Sequence, residues 1–150
     1  MPCQDDGYHA DTEKELLKKR VDELTQNLCY LCGELIAAGA PLEECASERI
    51  RTWWTAHCEA DRARVYPQML GRFQKDPDLE PAVLSGEFIL AAERVHPVSR
   101  YHRRWFKDLA AEAQRFVLTV REEDRRRNEA REQVLGKLTD EELAALGIKR

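Results

Sequence analysis

The 150-residue sequence lacks an apolar run of about 20 residues, the length that a membrane-spanning helix needs. Its first residues, Met1-Pro2-Cys3, do not resemble a secretory signal peptide. It also lacks the Gly-rich phosphate loop and the H-E-x-x-H and G-x-S-x-G motifs, which are typical of common enzyme classes. We therefore expect a cytoplasmic protein that has no membrane contact and is not an enzyme.

Glycine and proline are sparse, with 7 and 6 residues, whereas charged residues make up 35% of the chain. A composition rich in Glu, Lys, Arg, Leu and Ala favours helices. The length suits one hydrophobic core and is too short for two. The five cysteines are odd in number, which favours reduced thiols over a disulfide framework. We predict a single all-α domain spanning 1–150.

The net charge of −4 is unevenly distributed. Residues 1–61 carry 6 Lys/Arg and 13 Asp/Glu, a net of −7, and residues 62–150 carry 18 and 15, a net of +3. This asymmetry favours an oriented protein-binding surface over a dedicated DNA-binding protein.

Leucines recur at alternating steps of four and three in the first predicted helix, 12–38, as expected for a heptad repeat. Thr12 with Glu15 forms a capping box at its start, and Gly39 with Pro41 ends it. We call this apolar row the leucine seam; it consists of Leu17, Val21, Leu24, Leu28, Leu31 and Leu35.

Pro41 opens a second predicted helix, 41–66, and the short connection predicts an antiparallel hairpin within 1–66. A hairpin and a homodimer would bury the leucine seam equally well, so both remain open.

Pro67 begins a middle segment, 67–97, for which we predict irregular structure and short helices. Within 98–150, Ser99 caps a long helix that runs to about Lys137, and Thr139 with Glu142 caps a short terminal helix. The apolar side of the long helix stops at Val120, and 121–131 is polar all round.

Cys29 and Cys32 have the C-x-x-C spacing of zinc and redox sites. Measured along a hairpin centred near residue 40, Cys32 lies opposite about residue 48, which brings Cys45 near and leaves His57 about 9 Å away. Buried structural thiols are the favoured interpretation, with redox chemistry as one alternative and a zinc site as the other. The candidate zinc ligands are Cys3, Cys29, Cys32, Cys45 and His57.

His57, Asp61 and Arg64 follow Trp53-Trp54 at helical spacing, so Trp54, His57 and Asp61 are expected on one face. A His–Asp pair can fix an imidazole tautomer, but Cys58 points about 100° away from its neighbour His57. We therefore favour a packing role for this column over catalysis.

A basic patch opens the long helix, where cations alternate with aromatic residues as nucleic-acid contacts require. It consists of Arg100, Arg103, Arg104, Trp105 and Lys107. The competing interpretation is an amphipathic helix start with its aromatic residues inward.

Three segments resemble small accessory proteins of tailed bacteriophages. They are Met1-Pro2-Cys3 with Asp5, Leu28-Cys29-Tyr30-Leu31-Cys32, and Trp53-Trp54-x-x-His57-x-x-x-Asp61-x-x-Arg64. The stretch Leu135–Gly147 is also similar to the ends of such proteins. The closing thirteen residues, Leu138–Arg150, are similar to the tails of small arginine-rich bacterial proteins implicated in RNA-linked regulation. The resemblance covers about 1–64 and 121–150 and leaves 65–120 as an insertion.

The resemblance implies a protein of the host-cell cytoplasm that binds and disables host machinery. It also favours the metal hypothesis, because the Cys3, Cys29, Cys32 and His57 types recur in the pattern. Our main expectation is a non-enzymatic accessory protein that binds and modulates a host or phage protein, for example in counter-defence. The alternatives are nucleic-acid binding through the basic patch and a small zinc-stapled helical domain.

Overall fold

A computed structural model describes the backbone of residues 6–149 and the side chains of residues 11–149. Within these residues the chain forms six helices and no strand, which confirms the all-α prediction. The helices are α1 (Asp6–Ala37), α2 (Leu42–Cys45), α3 (Glu48–Lys75), α4 (Pro81–Glu93), α5 (Arg100–Leu135) and α6 (Asp140–Ala145).

Among the described residues, hydroxyl side chains cap the starts of α3, α5 and α6. Ser47 Oγ accepts the Ile50 N–H at 3.4 Å, and Ser99 Oγ accepts the His102 N–H at 3.1 Å. Thr139 and Glu142 form the predicted capping box of α6. Each cap satisfies an N–H group that has no partner within its own helix. Ser99 and Thr139 were both predicted from sequence in this role.

Two glycines end helices in the left-handed conformation. Gly39 has φ +82 after α1, and Gly147 has φ +71 after α6. Beyond α1, the Ala40 N–H donates to the Leu35 carbonyl at 3.0 Å, the long-range bond of a Schellman motif. The predicted end of the first helix is therefore confirmed.

The predicted start of the first helix at residue 12 is wrong. Helix α1 already begins at Asp6, so Thr12 lies inside it and does not cap it. A capping box is a local signal, and it does not end a helix when the residues before it also adopt helical geometry.

The second predicted helix, 41–66, begins at Pro41 as predicted, but it is interrupted in its interior and its predicted C-terminal end is wrong. Ala46 and Ser47 are extended, which separates the four-residue α2 from α3. Pro67 lies within α3 and does not begin a new segment. An interior proline costs about 3 kcal/mol. Continuing the helix buries Met69 and Phe73 completely, which contributes about 1.5–3 kcal/mol for each side chain and offsets that cost.

The main core lies between α3, α4 and α5. Met69, Phe73, Leu84, Ala110 and Ala113 are 0% exposed at its centre. The segment 67–97, predicted as irregular structure with short helices, therefore contains the end of α3 and the whole of α4, and it contributes much of this core.

A smaller cluster attaches α1 to the rest of the protein. Its buried members are Cys29 and Cys32 of α1, Leu42 of α2 and Trp54 of α3, with Tyr101 of α5 packed against them. Helices α1 and α3 both contribute to this cluster, while the main neighbour of α1 is α5.

Among the described residues, four arginine–carboxylate pairs join neighbouring helices across the surface. They are Arg62–Glu112 (α3–α5), Arg72–Glu87 (α3–α4), Arg100–Glu34 (α5–α1) and Arg103–Glu93 (α5–α4). Exposed pairs of this kind contribute about 0–1 kcal/mol each, so they fix orientation more than stability.

No helix among the described residues is long and apolar enough to cross a membrane.

Candidate functional site

A cleft of about 220 Å³ opens where α1, α3 and α5 meet the segment that follows α4. We call it the histidine cleft, because His57, His96 and His102 all line it, together with Cys29 and Asp61. Its wall also includes the apolar side chains of Val98, Trp105 and Phe106. Cys29 of α1 and His57 of α3 thus line the same cleft.

The predicted tryptophan–histidine column exists in a modified form. His57 stacks on Trp53 with ring centroids 4.9 Å apart, and its Nε2 lies 3.6 Å from Asp61 Oδ2. Arg64 Nη2 lies 3.4 Å from the other oxygen of Asp61. The aromatic partner of His57 is therefore Trp53, four residues earlier, and not Trp54 as predicted.

Trp54 instead faces the N-terminal turn of α5. It is only 8% exposed, and its ring centroid lies 5.5 Å from that of Tyr101 and 5.4 Å from that of His102. The adjacent tryptophans thus divide their roles, since one packs between helices and the other supports the imidazole of His57.

His102 is the central side chain of the cleft, and the sequence did not single it out. Its Nδ1 lies 2.6 Å from Ser99 Oγ, and its Nε2 lies 3.6 Å from Cys29 Sγ. A neutral imidazole satisfies both contacts when the Ser99 hydroxyl donates to Nδ1 and Nε2–H donates to the sulfur. Burial lowers the pKa of His102 to about 4, so the neutral form dominates at pH 7.

A local signal for His102 was present in the sequence, because it stands three residues after the capping serine. That position turns its backbone N–H to Ser99 and its ring toward the helix start. The contact with Cys29 spans 73 residues and no local pattern reveals it.

Burial holds the thiols beside the cleft in their protonated form. It raises the pKa of Cys29 to about 12 and that of Cys58 to about 11, and it also raises the pKa of Cys32. Catalytic Cys–His pairs work as thiolate and imidazolium. Cys29 and His102 are shifted in the opposite directions, so both are neutral and the pair is poorly suited to nucleophilic chemistry.

The predicted zinc ligands lie in different environments. Cys29 and Cys32 are buried, whereas Cys45 is exposed and its thiol donates to the Pro41 carbonyl at 3.1 Å. Cys3 lies outside the described residues. Within the described part of the chain, no group of three or more His, Cys, Asp or Glu residues could hold a metal ion. Zinc binding stays a prediction without geometric support from these residues.

The thiol environments predict an order of alkylation by iodoacetamide in the folded protein. We expect Cys45 to react at least about 10-fold faster than Cys29 or Cys32, because only thiolates react and burial blocks access as well. Peptide mass spectrometry after timed quenching measures the rates, and the chain unfolded in guanidinium is the control, in which the rates should converge. Equal rates in the folded protein would contradict the packing of α1.

The basic patch is partly occupied by carboxylates of the same chain. Glu34 accepts the Arg100 backbone N–H at 2.8 Å and its Nε at 2.9 Å, and Arg103 pairs with Glu93. These hydrogen bonds from Arg100 lower the pKa of Glu34. The patch therefore has a structural role in holding α1 and α4 against α5.

The remaining members of the patch offer little to nucleic acid. Trp105 is half-buried against the main core and stacks edge-on with Phe106. Arg104 and Lys107 are exposed and take part in none of the ion pairs formed by the described residues. Nucleic-acid binding stays a prediction that rests on two cations, where the sequence offered four.

The leucine seam faces solvent, so the prediction that a hairpin could bury it is wrong. Helix α1 packs through the adjacent face, with Cys29, Cys32 and Gly33 buried. Of the seam itself, only Leu28 packs partly against the smaller cluster. The other members are Leu17 (66% exposed), Val21 (59%), Leu24 (58%), Leu31 (58%) and Leu35 (40%).

The fold and the surface together define an all-α protein in which the heptad face of α1 is uncovered. No protein-family model matches the chain, and neither a curated protein nor a solved structure is significantly similar to it. The resemblance to phage accessory proteins therefore stays a prediction.

Proposed function

We propose that this chain is a non-enzymatic interaction protein that binds another protein chain along the leucine seam of α1. The observation that carries the proposal is the exposure of five of the six seam residues, with Leu28 half-buried between them. Scattered exposed leucines are normal on a protein surface, whereas a contiguous apolar row marks a contact site.

The size of the seam is sufficient for a specific contact. Complete burial of a Leu or Val side chain contributes about 1.5–3 kcal/mol, so covering five half-exposed side chains contributes about 5 kcal/mol, and a partner helix contributes a similar amount. Association costs about 4–15 kcal/mol. These two contributions are similar in size, so the affinity of the complex depends on how completely the partner covers the seam.

The first half of α1 also needs a partner to be stable as a helix. Every described side chain from residue 11 to residue 24 is exposed. A helical stretch of about 12–15 residues is marginal in water when nothing packs against it. A chain bound along the seam would supply the missing packing.

The chemistry of the histidine cleft supports a non-enzymatic role, because Cys29 and His102 are held in neutral forms. The resemblance to phage accessory proteins supports a protein partner of the host or the phage, and modulation of that partner as the outcome.

A photo-crosslinking residue placed at two positions of α1 tests the proposal. p-Benzoylphenylalanine at Leu24 lies on the seam, and the same residue at Leu16 is the matched control. Leu16 is similarly exposed, at 62%, and lies off the seam, about 100° around the helix from Leu17. Irradiation in a bacterial host should give protein adducts at position 24 and about 10-fold fewer at position 16, as expected when contact concentrates on one face.

Equal adduct yields at the two positions, or none at position 24, would overturn the proposal. The full chain is used, and circular dichroism of the purified variants verifies that both keep the helical content of the wild type.

A further inference from the structure

We infer that the chain which covers the leucine seam is a second copy of this protein, bound in the opposite direction. The inference rests on the proposed function, since it names the occupant of the same surface. It is carried by three observations: the order of the seam residues, the charges beside them, and the unequal support of the two halves of α1.

The seam is complementary to itself when reversed. Leu17 then faces the partner's Leu35, Val21 faces the partner's Leu31, and Leu24 faces the partner's Leu28. Each layer joins a residue of one heptad core position to a residue of the other, which is the pairing of an antiparallel coiled coil. The six layers extend over about 27 Å of helix at 1.5 Å per residue.

The charges beside the seam favour the reversed direction. Lys14 continues the heptad before Leu17, and Arg20 flanks the first half of the seam, whereas Glu34 flanks the second half. Reversal brings Arg20 beside the partner's Glu34, whose carboxylate retains acceptor capacity beyond its two bonds to Arg100.

The same-direction dimer has one attraction of its own, between Glu13 and the partner's Lys18. It also places Lys14 against the partner's Lys14 in the core of the interface, where both ammonium groups would be removed from water. Desolvated like charges cost more than an exposed rim pair returns. Reversal instead places Lys14 opposite the partner's Ala38.

The unequal packing of the two halves of α1 also favours the reversed direction. Residues 11–24 are exposed throughout, while Cys29, Cys32 and Gly33 anchor the second half to α3 and α5. In the reversed dimer, the unsupported half of each copy lies on the anchored half of the other. In the same-direction dimer, two unsupported halves would have only each other.

Sedimentation velocity over a concentration series tests the occupant. We expect the purified wild type to dimerise and Leu24→Glu to raise the dissociation constant at least about 100-fold, because each dimer would bury two carboxylates in the seam. Leu16→Glu introduces the same charge at a similarly exposed position off the seam and should leave the constant within about threefold of wild type.

Crosslinking at a seam end tests the direction. p-Benzoylphenylalanine at Leu17, in a mixture of ¹⁴N- and ¹⁵N-labelled protein, should give intermolecular adducts near Leu35. Adducts near the partner's Leu17 would overturn the reversed arrangement.

A monomer at every concentration would overturn the inference. The proposed function would survive that result if position 24 still gave adducts to a different protein in cells, whereas it would fail with the inference if position 24 gave none. A dimer that Leu24→Glu leaves intact, or that Leu16→Glu disrupts equally, would also overturn the inference.

Discussion

Replacing Gly33 with alanine is expected to lower the free energy of unfolding by about 2 kcal/mol, although alanine is the better helix former by about 1 kcal/mol. Gly33 lies where α1 crosses the start of α5. A Cβ atom at this position would lie 2.1 Å from Ser99 Oγ, 2.7 Å from Ser99 Cβ and 3.1 Å from His102 Nδ1.

Ser99, which the added Cβ atom would overlap, cannot easily move aside. Ser99 is 0% exposed, and its hydroxyl both caps α5 and contacts the ring of His102. Relieving the overlap requires either separating α1 from α5 or breaking the cap, and each costs more than the gain in helix propensity. Urea unfolding followed by circular dichroism measures the loss.

Gly71→Ala and Gly86→Ala are the matched controls, because both glycines lie inside helices and a Cβ atom there meets nothing within 4 Å. These variants should be more stable than wild type by about 0.5–1 kcal/mol. The structure of the α1–α5 crossing would be contradicted if Gly33→Ala were stabilising as well.

Local signals in the sequence were sufficient for the helix ends that depend on few residues. Ser99, Thr139 and Gly39 act within one turn, and each performs the predicted role. Pro67 failed as a boundary because its local cost is outweighed by the burial of Met69 and Phe73, which depends on two other helices.

The candidate sites show the same division between local and distant determinants. Heptad spacing identified the apolar row of α1 correctly, but periodicity alone does not say what covers such a row. Spacing within the basic patch does not show that Glu34 and Glu93, which lie on other helices, pair with two of its four cations. His102 was missed because its distinguishing contact is with Cys29, far away in the sequence.

Acidification is expected to destabilise the folded protein through His102. Burial lowers the pKa of His102 from 6.5 to about 4 in the folded state. Between these pH values, His102 is therefore protonated in the unfolded chain and neutral in the folded chain. The stabilisation that comes from the neutral ring of His102 is therefore fully present above pH 6.5 and is lost as the pH falls toward 4. The full shift corresponds to about 3 kcal/mol, and partial exposure of the ring reduces this to about 2–3 kcal/mol.

His102→Gln separates this contribution from the titration of other groups. Glutamine keeps a hydrogen-bonding end near Ser99 and Cys29 but binds no proton, so the variant should lose about 2–3 kcal/mol less than wild type between pH 6.5 and 4. Urea unfolding at a series of pH values measures both curves. Because the ring also packs against Trp54 at 5.4 Å, the variant should be less stable than wild type at pH 7.5. Two curves that remain parallel from pH 7.5 to 4 would show that His102 accepts a proton equally well in both states, which a ring buried between Ser99, Cys29 and Trp54 should not do.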